Sequence, residues 1–138
     1  MIILDTNVLS ELMRPQPSEK VSNWFALHSA MQLFVTTVTE AEIYYGLALL
    51  APGTRRSALE EAAQRMFDED FAGRRIAFDS AAARAYAEIA AARRQAGRPI
   101  HTCDAQIAAI TRSHQATLAT RNVADFENCG IVLINPWT

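Results

Sequence analysis

The chain of 138 residues has one lysine, Lys20, two cysteines and three histidines. Cys103 and Cys129 lie far apart, with no partners at metal-ligand spacing. That excludes a disulfide scaffold and a zinc site, and a reduced, cytoplasmic protein is expected. The longest apolar stretch, Ile43 to Ala51, falls well short of the roughly 20 residues that a bilayer crossing needs. The N-terminus carries no basic leader and its apolar run breaks at Asp5, so a signal peptide is not expected. His28, His101 and His114 form neither a His pair nor a Cys-His-Asp order, and no catalysis is assigned to them. A basic excess is missing too: with net charge -2 and pI near 5.9, nothing attracts nucleic acid globally. A polyanionic ligand would need local arginines or bound cations.

What is present suits one domain over residues 1–138. Half the residues are apolar, enough for a core burying roughly two-thirds of the unfolded surface. No repeat, linker or low-complexity tract interrupts the chain. Residues 2–4 read as a buried strand, with Thr6 or Asn7 capping the helix that follows until Arg14-Pro15-Gln16-Pro17 stops it. Ser18 is expected to cap a second helix. Leu33 to Thr36 reads as a strand, and Thr37 or Thr39 starts a helix carrying Glu40 and Glu42. After the turn Ala51-Pro52-Gly53 a polar-faced helix frays into Asp68-Glu69-Asp70. A strand is expected at 75–78, then a long Ala-rich helix capped by Asp79 and ended at Gly97. A helix at 102–113, a strand at 117–120, a helical turn at 122–127 and a strand at 131–134 complete the pattern. Strand and helix alternate throughout, which predicts an α/β fold: a parallel sheet of about five strands with helices on both faces.

Asp5 falls where the first strand ends and a helix begins, the edge at which open α/β sheets bind ligands. Capping that helix would be the plain reading of one such acid. Three later stretches place further polar groups at comparable junctions: Glu42 in Thr39-Glu40-Ala41-Glu42, Asp104 in Thr102-Cys103-Asp104-Ala105, and Asn122 with Asp125 in Arg121-Asn122-Val123-Ala124-Asp125. If Asp5, Glu42 and Asp104 converge within about 5 Å, each ionised pair costs roughly 3 kcal/mol at an effective dielectric near 20. Three pairs cost on the order of 10 kcal/mol, comparable with the stability of a whole domain. A divalent cation would neutralise them, and oxygen ligands without His or Cys select magnesium or manganese. Such an ion activates water and stabilises charge on a phosphoryl oxygen, which is the chemistry of phosphodiester hydrolysis.

Other residues have competing readings. Glu40 and Glu42 are about 200° apart around a helix, so only one faces the pocket; Gly46, one turn later, thins the face beside Glu42. Cys103 points about 100° away from Asp104 and reads as a small buried side chain rather than a nucleophile. Arg121 suits a phosphate contact, an ion pair with Asp125 or a helix end equally. Arg74, Arg75, Arg93, Arg94 and Arg98 are RNA-contact candidates or solvated faces. Leu9, Leu12, Met13, Trp24 and Phe25 suit core, or a groove of the kind an amphipathic helix occupies.

The pattern Ile3-Leu4-Asp5-Thr6-Asn7, Ala41-Glu42 with Gly46, Asp104 with Ile107-Ala108-Ala109, and Thr120-Arg121-Asn122 with Asp125-Phe126 resembles the PIN-domain ribonucleases. In particular it is similar to the VapC-type toxins of type II toxin-antitoxin pairs and their FitB-like branch, whose Asn-Pro-Trp ending appears here as Asn135-Pro136-Trp137. The resemblance implies a magnesium-dependent endoribonuclease (manganese as a substitute), silenced by a VapB- or FitA-like antitoxin in a groove beside the site. It also implies a homodimer, and contact with operator DNA only through the antitoxin. By position Asp5 and Asp104 are the principal metal ligands, Glu42 completes the set, and the Thr6 hydroxyl lies near the metal water. The fourth acidic position of many relatives matches Asn122, so either Asn122 or Asp125 fills it. The competing reading is an α/β interaction or regulatory module with a degenerate metal site. A haloacid-dehalogenase-type phosphatase needs a second acid where Asn7 stands, and a phospho-acceptor domain needs a late lysine that this chain lacks.

Overall fold

The computed structural model describes residues 1–138. Five strands, β1 (Ile2–Leu4), β2 (Leu33–Thr36), β3 (Arg75–Ile76), β4 (Thr117–Ala119) and β5 (Val132–Ile134), form one sheet in the order β3-β2-β1-β4-β5. Every pairing is parallel, with Ile3 beside Phe34 on one side and Leu118 on the other. The helices are α1 (Thr6–Leu12), α2 (Glu19–Ala26), α3 (Thr37–Ala48), α4 (Thr54–Arg65), α5 (Ser80–Gln95) and α6 (Thr102–Ser113). None is long and apolar enough to cross a membrane.

Successive strand residues face opposite sides, so each strand feeds two cores. Ile3 and Leu118 pack with Ile89, Ile107 and Ile110 of α5 and α6, while Leu4, Leu33 and Val35 pack with Val8, Val21, Ile43 and Phe67. That makes the expected three-layer α/β/α sandwich. Alanines let α5 and α6 lie close together, and Gly97, at φ +73°, ends α5 in the left-handed conformation that suits glycine.

Local details differ from the sequence reading for physical reasons. Asp5 itself caps α1, its Oδ1 accepting the Thr6 N–H at 2.8 Å, which frees Thr6 and Asn7 for other contacts. Helix α3 does start at Thr37, and the residue before it is the cap: the Thr36 hydroxyl accepts the Thr39 N–H at 3.1 Å. Because β2 turns into α3 there, β3 stops at Ile76 and Ala77 has no strand to pair with. Ser18 starts α2 without a side-chain cap; its own N–H donates to Glu11 instead. The acidic run after α4 does not fray. Met66–Asp70 forms a π-turn, held by Phe67 and Phe71 in the core.

The topology fixes where a ligand binds. From β1 the chain winds outward through β2 and β3, then returns to place β4 on the other flank of β1. The crevice at the carboxyl ends of β1 and β4 is therefore the switch point of the sheet. Asp5 follows β1 there, Thr120 follows β4, and the Asp5 N–H bonds the Ala119 carbonyl at 2.9 Å.

Candidate active site

An open cavity of about 530 Å³ occupies this crevice, lined by Asp5, Thr6, Asn7, Ser10, Glu11, Arg14, Glu42, Asp104 and Asn122. No aliphatic or aromatic side chain lines it. Asp5 arrives from β1, Glu42 from the second turn of α3, Asp104 from the first turn of α6, and Asn122 from the loop after β4. Three distant parts of the chain thus bring their acids to one opening. The acids do not close into a ready-made cage, since no three Asp, Glu, His or Cys side chains stand close enough to enclose an ion. The expected tight convergence is reduced to a shared cavity, in which Thr6 bonds Asp5 through its N–H and Glu42 through its hydroxyl.

Asp5 is 4% exposed and accepts from the Thr6 N–H, the Thr120 hydroxyl at 2.7 Å and the Asn7 amide at 3.3 Å. Burial pushes its carboxyl up to about 6. The Thr120 and Thr6 bonds oppose that rise, and the Asp104 and Glu42 charges add to it. Asp104 is raised too, first by desolvation and then by the Asp125 charge, while His101 pulls it back. Glu42 accepts the Thr6 hydroxyl at 2.7 Å, and that hydroxyl also meets Thr39 at 2.9 Å. Glu40 instead pairs with Arg75 at 2.9 Å, which settles which of the two glutamates enters the cavity. Asn122 lines the opening, whereas Asp125 sits exposed on the 3-10 turn Val123–Phe126, outside the lining. Gly46 has nothing within 4 Å of where a Cβ would sit, so the chain itself does not use the thinned face.

The donor set suits a hard divalent cation. It is all oxygen, and Asp5 is a buried carboxylate with two acids for neighbours, a charge that lacks a counter-ion. Magnesium keeps several waters and uses one or two carboxylates, so it does not require a closed cage. Burial, then the Glu42 and Asp104 charges, push the Cys103 thiol up, which disfavours the thiolate that a nucleophile needs.

Most of the arginine candidates are occupied structurally. Arg74 binds the carbonyls of Ala30, Leu33 and Asp70. Arg75 bridges Glu40 and Asp68, and Arg98 meets Glu127. Arg93, 6% exposed, donates to the carbonyls of Arg98, Asp125 and Glu127 at 2.8 to 3.0 Å and so pins the turn after Asn122. Arg121 neither pairs with Asp125 nor caps a helix; its guanidinium lies over Trp137. Of the groove candidates, Leu9 is core, while Leu12, Met13 and Phe25 join it in lining an apolar cavity of about 450 Å³ with Leu33, Met66 and Phe71.

Sequence reading missed Thr120, Thr39 and Glu11. The register was the signal for Thr120: with Leu4 beside Ala119, the next residues, Asp5 and Thr120, must meet. Glu11, one turn after Asn7 on α1, and Arg14, just past the end of that helix, also reach the cavity.

Comparisons with known proteins agree with this fold. The PIN domain family matches residues 2–130. A plasmid stability protein, StbB, of Pseudomonas syringae pv. tomato is 41% identical over 99% of both chains. The toxin FitB of Neisseria gonorrhoeae is 37% identical over 99% of both. A VapC ribonuclease of Sinorhizobium fredii is 36% identical over 99% of this chain and 98% of its own. The solved structure of FitAB bound to a DNA fragment superposes with a TM-score of 0.93 at 37% identity, covering 100% of this chain and 96% of that one. The chain therefore belongs to the PIN-domain family, in the group that holds the VapC- and FitB-like proteins.

Proposed function

We propose that the protein is the toxin of a type II toxin-antitoxin pair, an endoribonuclease of the cytoplasm that depends on magnesium, or manganese in its place. The observation that carries this reading is the single polar cavity at the switch point, holding Asp5, Glu42 and Asp104 around a carboxyl pushed up to about 6. The names of relatives, a toxin and a ribonuclease, support it. Asp5 and Asp104 are the principal ligands in this proposal. Glu42 completes the set, and Asn122 contributes a neutral carbonyl in place of a fourth acid. The ion supplies an activated water and charge stabilisation on a phosphoryl oxygen.

The protein's own groups divide the remaining work. Thr120 and the Thr6 N–H fix the Asp5 carboxylate in one orientation. The Thr6 hydroxyl holds Glu42, and releasing that bond frees a second oxygen ligand. The apolar groove beside α1 suits the helix of a VapB- or FitA-like antitoxin, which would carry the operator-DNA contact. A second copy would cover Tyr45 on α3 and Leu49 at its C-terminal cap, each 67% exposed, to give the homodimer.

Digestion of a structured RNA with magnesium, with and without chelator, tests the reading. Cleavage that needs the ion and disappears in Asp104→Asn is expected. Asn122 favours one rival, an interaction module with a degenerate site. Ion binding without any cleavage would select that rival.

A further inference from the structure

The acid cavity leaves the chain's last motif unexplained. Asn135-Pro136-Trp137 forms a small bracket: the Asn135 Oδ1 accepts the Trp137 N–H at 2.9 Å, and its Nδ2 reaches the Arg121 carbonyl at 3.5 Å. The indole packs against the core beside α1 and α2, and the Arg121 guanidinium carbon lies 5.0 Å from its ring centre. Stacking on an aromatic face orients a guanidinium without engaging its N–H groups. Arg121 makes no side-chain hydrogen bond and has no ion-pair partner, so its whole donor fork is free. The same residue's backbone N–H donates to Asn7 at 3.2 Å, and Asn7 touches Asp5 at 3.3 Å. One side chain therefore links the free arginine to the centre of the acid cluster.

Arg14, unlike Arg121, lines the cavity itself. Only its Nη1 is engaged, by the two Glu11 oxygens at 3.2 and 3.3 Å, and its side chain is 65% exposed. Arg14 pairs with Glu11 at 3.2 Å, and the Glu11 carboxyl is lowered first by the Ser18 N–H, then by Arg14 and last by the Arg121 charge. A chain of net charge -2 with an acidic pocket repels a polyanion, so local cations on the rim must supply the attraction. A planar fork matches phosphate oxygens two at a time.

We propose that Arg121, held on Trp137, and Arg14 form a phosphate-binding rim that seats the phosphates flanking the cleaved bond in a single RNA strand. This rests on the hydrolase reading above. On this reading the Asn-Pro-Trp ending holds a free guanidinium one residue before Asn122, which lines the site.

The test is fluorescence anisotropy of a labelled single-stranded RNA oligonucleotide on the full chain, in calcium buffer, across a KCl series, with cleavage followed in magnesium. Arg121→Ala is expected to bind about tenfold more weakly at low salt, and to lower the slope of log Kd against log salt by about 0.7. Arg14→Ala does the same. Arg121→Lys keeps the slope. Trp137→Ala weakens binding with the slope retained, and Trp137→Phe restores it. Arg55→Ala, an equal loss of charge at the start of α4, leaves both quantities as in the wild type. Wild-type affinity and slope in Arg121→Ala, in a protein that still cleaves RNA, would overturn the rim alone. Binding with the expected slopes but no cleavage would uphold the rim and remove the hydrolase reading. A wild type that binds no RNA would end both.

Discussion

Replacing Asp5 by asparagine should stabilise the metal-free protein while removing its activity. The carboxyl is 4% exposed and its pKa is pushed from 3.8 to about 6. At roughly 1.4 kcal/mol per tenfold, that shift corresponds to about 3 kcal/mol against the ionised form in the folded chain. Below 3.8 both folded and unfolded chains hold the proton and no penalty exists; above about 6 both have lost it and the penalty is complete. Stability contributed by this residue is thus present at low pH and lost as pH rises from about 4 to 6. Asparagine removes the penalty but turns one acceptor into a donor, facing the Thr120 hydroxyl or the Asn7 amide, and forfeits about 1 kcal/mol. The net gain at pH 7.5 is about 2 kcal/mol, or roughly 6 to 8 °C in Tm for a domain of this size. Calorimetry in EDTA at pH 7.5 and pH 4.5 measures it. The gain should shrink by about 2 kcal/mol at the lower pH, and so largely vanish. Added magnesium should stabilise the wild type and leave Asp5→Asn unmoved. Equal or lower stability of the variant at pH 7.5, or a gain independent of pH, would refute the placement of an uncompensated charge at Asp5.

Thr120→Val removes the hydroxyl that orients Asp5, and should weaken magnesium binding by roughly 10- to 100-fold in titration calorimetry, in line with outer-shell partners elsewhere. Glu42→Gln should abolish magnesium-dependent cleavage, whereas Glu40→Gln, which breaks only a partly exposed pair with Arg75, should keep it and shift stability by about 1 kcal/mol at most. Arg93→Met leaves three carbonyls without their donor and should cost about 3 kcal/mol by urea denaturation, with Arg93→Lys recovering part of it.

The sheet and its helices were legible because periodicity changed sharply at capping residues: Asp79 and the span 102–113 fall where the pattern puts them. Strand ends were less so, since the length of β3 depends on its neighbour β2 turning into a helix rather than on its own residues. The acids of the site were legible as acids at strand–helix junctions. The choice of Glu42 over Glu40 was legible only through Gly46 and the family resemblance, because it depends on which face of α3 meets Arg75 and which meets Thr6. Arginines were the least legible. A long flexible cation gives no hint in sequence of whether carbonyls from another segment will claim it, as they claim Arg93, or leave it free, as they leave Arg121.

Helix α1 is seven residues long, yet it forms a wall of both cavities: Thr6 and Asn7 at its beginning line the acidic one, Leu9 and Leu12 further along line the apolar one. Its first N–H is tied to Asp5 itself. A guest that shifted this short helix in the groove would therefore act on the Thr6 N–H that the Asp5 carboxylate accepts. Thermodynamic reciprocity then runs both ways: whatever factor the guest imposes on the grip for a cation, the cation imposes on the grip for the guest.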